Sequence, residues 1–474
     1  MIESLSPDVT LQSWMSLMID MTHKKGKIKQ HRWQPGLPLK LLFVGYTGSR
    51  NTGADVRVSE MIRQIEHVLG KNQSQLSIVS VDLKGSKDYF PDVTQIHIPK
   101  IFPMFLYKHC PQYDGVIACE GSMFKSKFAD ALSTLMAGAL GMANAENKLS
   151  IGYGAEAGQM TPHLQSFVEK QCHESLIICR NKASQAVLDQ LHIRNSPGTD
   201  TAWTFAPPAK EIGEKILKAH GWDGKKPIVA ICPIDPFCWP VRPSISKTFK
   251  KYILGQHQDE HYDSIYFHEI NEKKKQQFEK YILSIHNALK RFEEEHQIFP
   301  ILIGMEKLDR KACNAINKKR THPIPMFISD EYNIFEMLSI LHHASSLISS
   351  RFHAIVCSMT GLVPSAGITM DERIHNLLTD RDDTTLLLKV DQDDLEQRTY
   401  ECLVSLHQNK EEIVHRIGKM IPREIQKMGE MGKIFSQEVQ KVYPDFCPSI
   451  AEGSWEKYLP SLHKQTQHIM EQFG

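Results

Sequence analysis

Two α/β domains with parallel sheets, followed by a mainly helical tail, are what this chain predicts. Three observations carry the reading. The 474 residues exceed what one hydrophobic core usually serves. Short apolar runs alternate with helix-period segments through most of the chain. A break near residues 194–226 stops that rhythm before it begins again.

Residues 1–38 read as a helical or irregular preface, ended by Trp33-Gln34-Pro35-Gly36-Leu37-Pro38, where two prolines and a glycine break a helix. Strand-type runs follow at 40–45, 76–82, 94–98, 115–119, 149–153 and 175–179, with helical patterns at 54–69, 127–147, 163–172 and 182–191. Continuous apolar strands alternating with helices indicate βαβ units on a sheet covered on both faces. Asn195-Ser196-Pro197-Gly198 reads as a turn, and the glycines of 221–227 close this series. The second series has strands at 227–232, 299–304, 326–328, 346–349 and 363–368, a last run at 386–390, and a long Lys/Glu-rich helix at 271–295. The expected domains are therefore 1–38 (extension), 39–225, 226–390 and 391–474 (helical and polar). The tail is expected to cross the outside or return to the first domain. Two such domains face each other across a cleft at the carboxyl ends of their strands.

Composition narrows the function. Apolar residues make up 41% and charged residues 23%, ordinary globular composition that argues against long disorder. The net charge of +1 gives no footprint for nucleic acid. Lys24-Lys25-Gly26-Lys27 and Lys273-Lys274-Lys275 read as solvated faces. The ten cysteines form no CxxC pair, so neither a zinc ribbon nor a redox motif is expected; Cys119, Cys179, Cys232 and Cys357 sit in apolar runs as small buried hydrophobes. No metal-ligand spacing occurs, and His342-His343 reads as core-edge packing. No signal-peptide pattern opens the chain and no 18 apolar residues run together, so no transmembrane segment and a cytoplasmic setting are expected.

Three segments carry chemistry, each at a strand-to-helix junction. The first, Gly45-Tyr46-Thr47-Gly48-Ser49-Arg50-Asn51-Thr52-Gly53-Ala54-Asp55, can bring backbone N–H groups and a helix N-terminus to an anion, or be a βα turn with an Asn cap. Its spacing fits neither a P-loop nor a dinucleotide fingerprint. The second is Glu120-Gly121-Ser122, a poorly solvated acid beside a cap, or a simple turn. The third, Ser350-Arg351-Phe352-His353, is the sharpest. A guanidinium offers a planar fork to phosphate or carboxylate, and an imidazole two residues on can transfer a proton.

Taken in order, Asn51-Thr52-Gly53-Ala54-Asp55, the 114–122 segment, Arg180-Asn181-Lys182-Ala183-Ser184 and Ser350-Arg351-Phe352-His353 resemble the polysaccharide pyruvyl transferase family over roughly residues 39–380. The resemblance implies two Rossmann-like domains similar to GT-B glycosyltransferases, to which this chain adds the helical C-terminal extension read from its residues. It further implies a transferase that moves the enolpyruvyl unit of phosphoenolpyruvate onto two sugar hydroxyls as a pyruvate ketal. Arg351 would hold the donor and His353 would bind its phosphate or act as acid. Arg180 is carried over as a binding residue, beside Asn51, Thr52, Gly53, Glu120, Gly121 and Ser122. No cofactor is expected beyond phosphoenolpyruvate as donor substrate, and the partners are an anionic small molecule and a glycan or other hydroxyl acceptor. A homo-oligomer is compatible with this. The alternatives are a nucleotide-sugar glycosyltransferase, with Asp371 and Glu372 contacting ribose or sugar hydroxyls, and a non-catalytic anion- or glycan-binding protein on the same fold.

Overall fold

A computed structural model describes residues 6–26, 33–244, 247 and 266–474. The first domain is a seven-stranded parallel sheet of β1 (Leu39–Val44), β2 (Ser74–Ser80), β3 (Thr94–His97), β4 (Gly115–Ala118), β5 (Leu149–Ala155), β6 (Leu176–Cys179) and β7 (Asn195–Pro197), in the order β3-β2-β1-β4-β5-β6-β7. The chain thus starts in the middle of the sheet, winds to one edge, and crosses back at β4, which places a topological switch between β1 and β4. The central strands are apolar on both faces because helices cover both; β4 and β5 are buried throughout.

The second domain begins at β8 (Ile228–Cys232). A small antiparallel hairpin, β9 (Val241–Pro243) with β10 (Tyr266–His268), departs from it. The sheet then resumes with β11 (Phe299–Gly304), β12 (Met326–Ile328), β13 (Ser346–Ser349), β14 (Ser365–Thr369) and β15 (Leu387–Lys389), in the parallel order β12-β11-β8-β13-β14-β15. The Lys/Glu-rich helix is Glu272–Glu295, started by Asn271, whose side chain accepts from the Lys274 amide at 2.9 Å.

One expectation is corrected, and one element was not expected. Asn195–Pro197 is an edge strand paired in parallel with β6, not a turn. An edge position asks nothing of the proline's missing N–H, so turn-like composition is compatible with strand geometry there. The β9–β10 hairpin, unforeseen, is too short to show a period-2 signal.

The tail returns to the first domain. Its long helix, Lys410–Val442, lies against the helix Thr52–Leu69 and the 201–204 turn. Gln64 is the buried joint: its amide donates to the carbonyls of Met428 (2.6 Å) and Tyr458 (3.1 Å), while Tyr153 Oη donates to its Oε1 (2.8 Å). Arg194 makes a two-pronged pair with Glu438 (2.8 and 3.0 Å). The preface is the helix Pro7–Gly26, packed on the helix Asp130–Asn144 through Met15 and Ile19. Nine of the ten cysteines are buried thiols and Cys447 is exposed, as apolar placement predicts. His342 is core-edge packing: burial lowers its imidazole to about 4, and Nε2 faces the Cys357 carbonyl at 2.9 Å. Among the described residues no helix is long and apolar enough to cross a membrane.

Replacing Gln64 by leucine keeps the volume but strands two carbonyls and the Tyr153 hydroxyl in the interior. An orphaned buried polar group costs about 1–3 kcal/mol, so Gln64→Leu is expected to lower the urea midpoint clearly, whereas Gln64→Glu at low pH retains part of the network.

Candidate active site

The cleft lies where the carboxyl ends of the two sheets meet. Most wall residues follow a strand: Tyr46 after β1, Glu120–Ser122 after β4, Arg180 after β6, Met305 and Glu306 after β11, Ser350–His353 after β13, and Met370 with Arg373 after β14. The space, open mouth included, is ≈ 830 Å³, with Phe128, Leu132 and Trp239 forming its apolar side. A parallel sheet turns all its strand ends one way, which is why residues 46 to 373 converge.

Of the residues singled out in sequence, Asn51, Glu120, Gly121, Ser122, Arg180, Arg351 and His353 line this cleft. Thr52 and Gly53 sit instead in the seam between domains. The Thr52 amide donates to the Met305 carbonyl (2.9 Å), and Arg50 and Ser329 exchange hydrogen bonds at 2.7 and 2.5 Å. Asn51 caps the helix, accepting from the Ala54 amide at 3.2 Å. Two glycines in the loop are dictated by space. Gly48 has φ +79°, and a Cβ there would stand 2.0 Å from Ser80 Oγ; a Cβ on Gly53 would stand 2.3 Å from the His353 ring. The first motif therefore acts less as an anion cradle than as a flat surface against which His353 of the other domain rests.

Asp371 and Glu372 are not cleft-wall residues. Asp371 caps the helix Glu372–Asp380 and is clasped by Arg373 (2.6–3.1 Å), while Glu372 pairs with the buried Lys125. Both carboxylates are engaged by cations of this chain, Asp371 by Arg373 and the half-exposed Glu372 by Lys125.

Sequence reasoning missed the network behind the wall. Asp200, 2% exposed, receives three partners at Oδ2: Arg57 Nε (2.9 Å), Arg180 Nη1 (2.9 Å) and His353 Nε2 (3.3 Å). Burial alone would raise its carboxyl, but Arg57, His353 and Arg180 hold it well below the usual carboxylate range. Glu156, equally buried, takes the other prong of Arg180, Lys125 Nζ (3.1 Å) and Asn181 Nδ2 (3.0 Å). His353 is pushed down from its ordinary value, chiefly by burial and further by Arg57 and Arg180, against the pull of Asp200. At neutral pH the ring is therefore neutral, with Nε2–H directed at Asp200 and Nδ1 available as acceptor. Arg351 is not a free fork. Its Nε and Nη2 are committed to Asp309 (2.5–3.0 Å), and Nη2 also reaches Glu306 (3.0 Å). Nη1 has no protein acceptor among the described residues, and the same holds for Nη1 of Arg373, whose guanidinium stacks 4.8 Å from the Phe128 ring. Arg180 in turn stacks on Phe352 at 4.7 Å.

No group of three or more His, Cys, Asp or Glu able to hold a metal occurs among the described residues. The fold is that of the GT-B class. A Listeria monocytogenes protein described as a UDP-N-acetylglucosamine 2-epimerase aligns with TM-score 0.54 at 10% identity, covering 84% of this chain and 96% of its own. Anabaena HepE, solved with UDP-glucose, aligns with TM-score 0.52 at 10% identity, covering 86% and 98%. The Neisseria meningitidis UDP-GlcNAc 2-epimerase, solved with UDP-GlcNAc, aligns with TM-score 0.50 at 11% identity, covering 85% and 100%. No curated protein matches the chain in sequence. The profile "Polysaccharide pyruvyl transferase" matches residues 51–372, two thirds of the chain, and the chain belongs to that family.

Glu306 gives a pH test of this geometry. Burial raises its carboxyl to about 7 against the lowering pull of Arg351. Between about pH 4.5 and 7 the unfolded chain has lost that proton while the native state keeps it, so this group makes stability fall as pH rises. Thermal midpoints measured from pH 5 to 8 should decline less steeply in Glu306→Gln than in the parent; an identical slope would contradict the assignment.

Proposed function

We propose that this transferase takes phosphoenolpyruvate as donor and forms a pyruvate ketal on two hydroxyls of a sugar acceptor. The observation that carries the reading is the pairing of a neutral, Asp200-oriented imidazole with the uncommitted Nη1 atoms of Arg351 and Arg373 in one cleft. The donor bears a carboxylate and a phosphate, and planar guanidinium donors suit both. The helix Phe352–Met359 adds unpaired N–H groups, for no side chain caps it.

The step is an addition followed by a substitution. A proton goes to the methylene carbon of the donor, its neighbour takes on cationic character, and one sugar hydroxyl oxygen bonds there. Phosphate then leaves with its C–O pair, and the second hydroxyl closes the ketal. One hydroxyl proton replaces the one taken up by the methyl group, and the other leaves with phosphate. In this scheme Nδ1 of the neutral His353 takes the proton of the attacking hydroxyl, and Asp200 holds the ring's orientation and stabilises the imidazolium that forms. Arg351, held rigid by Asp309 and Glu306, meets the developing phosphate charge without reorganising. Phe128, Leu132 and Trp239 keep water from the cationic carbon.

Purified protein given phosphoenolpyruvate and candidate sugars is expected to release phosphate only when an acceptor is present. His353→Ala should lower the rate about 10²- to 10⁴-fold. Arg351→Lys, which keeps a charge between Glu306 and Asp309, should raise KM for the donor while the protein stays folded. Full rates in both variants would refute these roles.

A further inference from the structure

Among the described residues, twelve large apolar side chains are exposed, and five of them sit on one face of the first domain: Trp14, Leu17, Met21, Ile101 and Met104. Ile101 and Leu17 are the more exposed, at 63% and 54%. The clustering has a simple origin. The helix Pro7–Gly26 is apolar on two sides. Met15, Met18 and Ile19 face the core, while Trp14, Leu17 and Met21, spaced three and four apart, line the outward side as one stripe. The helix Pro103–His109 packs alongside and turns Met104 outward, just after Ile101. Folding the domain does not require this second stripe, since the inner one already buries the helix.

Basic side chains border the stripe. Lys24 and Lys25 are exposed in the last turn of the first helix, and Lys108 in the second. The Lys25 ammonium lies 5.7 Å from the Tyr107 ring, which ties the two helix ends together. Asp20 is the acid on this flank.

We propose that this face docks on an anionic lipid bilayer. An apolar stripe bearing a tryptophan and rimmed by lysines is the arrangement that sits at a lipid interface: the stripe enters the headgroup boundary and the ammonium groups reach lipid phosphates. A two-fold contact with a second copy fits less well, because it would bring like lysines together with Asp20 to offset them. The placement also serves the cleft. Asp8, in the first turn of the docking helix, accepts from the Tyr266 hydroxyl, and Tyr266 shares its short strand with His268, whose ring lies 5.2 Å from the cleft-wall Trp239. Through these contacts the docking helix is linked to the cleft wall. The proposal concerns the surface alone and stands or falls independently of the donor.

Full-length protein would be sedimented with phosphatidylcholine vesicles and with vesicles that also contain phosphatidylglycerol. Binding is expected to the mixed vesicles, to be weak on neutral ones, and to fall as salt shortens the Debye length. Leu17→Glu with Ile101→Glu, and separately Lys24→Glu with Lys25→Glu, should each lower the partition about tenfold or more. Thermal midpoints should be unchanged in the Leu17→Glu and Ile101→Glu variant and at most slightly lowered in the lysine variant, which also loses the Lys25–Tyr107 contact. Lys273→Glu with Lys275→Glu, on the other domain, should leave partition unaltered. Absent binding to anionic vesicles, equal loss in that control, or a dimer in sedimentation equilibrium that Leu17→Glu dissolves without any vesicle binding would overturn the proposal.

Discussion

The Asp200 carboxylate, buried at the meeting point of the domains, must be neutralised by groups that arrive from three separate elements. Arg57 comes from the first helix of the first domain, Arg180 from the end of β6, and His353 from the other domain. A buried charge that loses a partner costs several kcal/mol, so the three cannot drift independently. The domains are therefore held in one relation at this point, and the flat backbone at Gly53 lets the imidazole approach closely enough to take part. Lys125 repeats the logic a few residues away, joining Glu156 of its own domain to Glu372 of the other. Cleft geometry is thus a consequence of charge satisfaction as much as of apolar packing.

That arrangement also sets the character of the cleft. Arg180, Arg351 and Arg373 are each matched with carboxylates, so the site is not a bare cationic basin. Guanidiniums anchored on one side and open on the other are rigid donors, which is what stabilising a transient charge requires. Burial holds Glu306 and Asp55 near neutrality, and Asp55 is pushed up to about 7 mainly by its surroundings. Two acids able to keep their protons reduce the repulsion an entering anion would meet.

The outer elements complete the scaffold. The tail helix Lys410–Val442 braces the helix Thr52–Leu69, which carries Arg57, through the buried Gln64. A cleft wall is thereby stiffened from behind by a segment more than 350 residues away in sequence. The preface helix instead packs on the helices Asp130–Asn144 and Pro103–His109 of the first domain, and its unused apolar stripe is the surplus that marks it as a docking element.

Much of this was legible in the chain itself. Apolar runs such as 299–304, 326–328 and 346–349 coincide with strands because buried parallel strands need apolar residues on both faces, a local demand that composition reveals. The Arg351-x-His353 segment was legible for a similar reason: a strand end followed at once by a helix start leaves two side chains at the mouth of the sheet. Asp200, Glu156 and Glu306 were not legible, since an isolated acid in sequence looks the same whether solvated or buried. Which carboxylate meets which guanidinium depends on elements 20 to more than 100 residues apart being packed side by side. The Asn195–Pro197 edge strand shows the same limit, because pairing with β6 overrode local turn preference. Sequence determined the two-domain rhythm and the place where chemistry emerges, as both follow from local periodicity. Tertiary structure alone decided the charge partners, because burial and long-range proximity are properties of the packed chain and not of any segment in it.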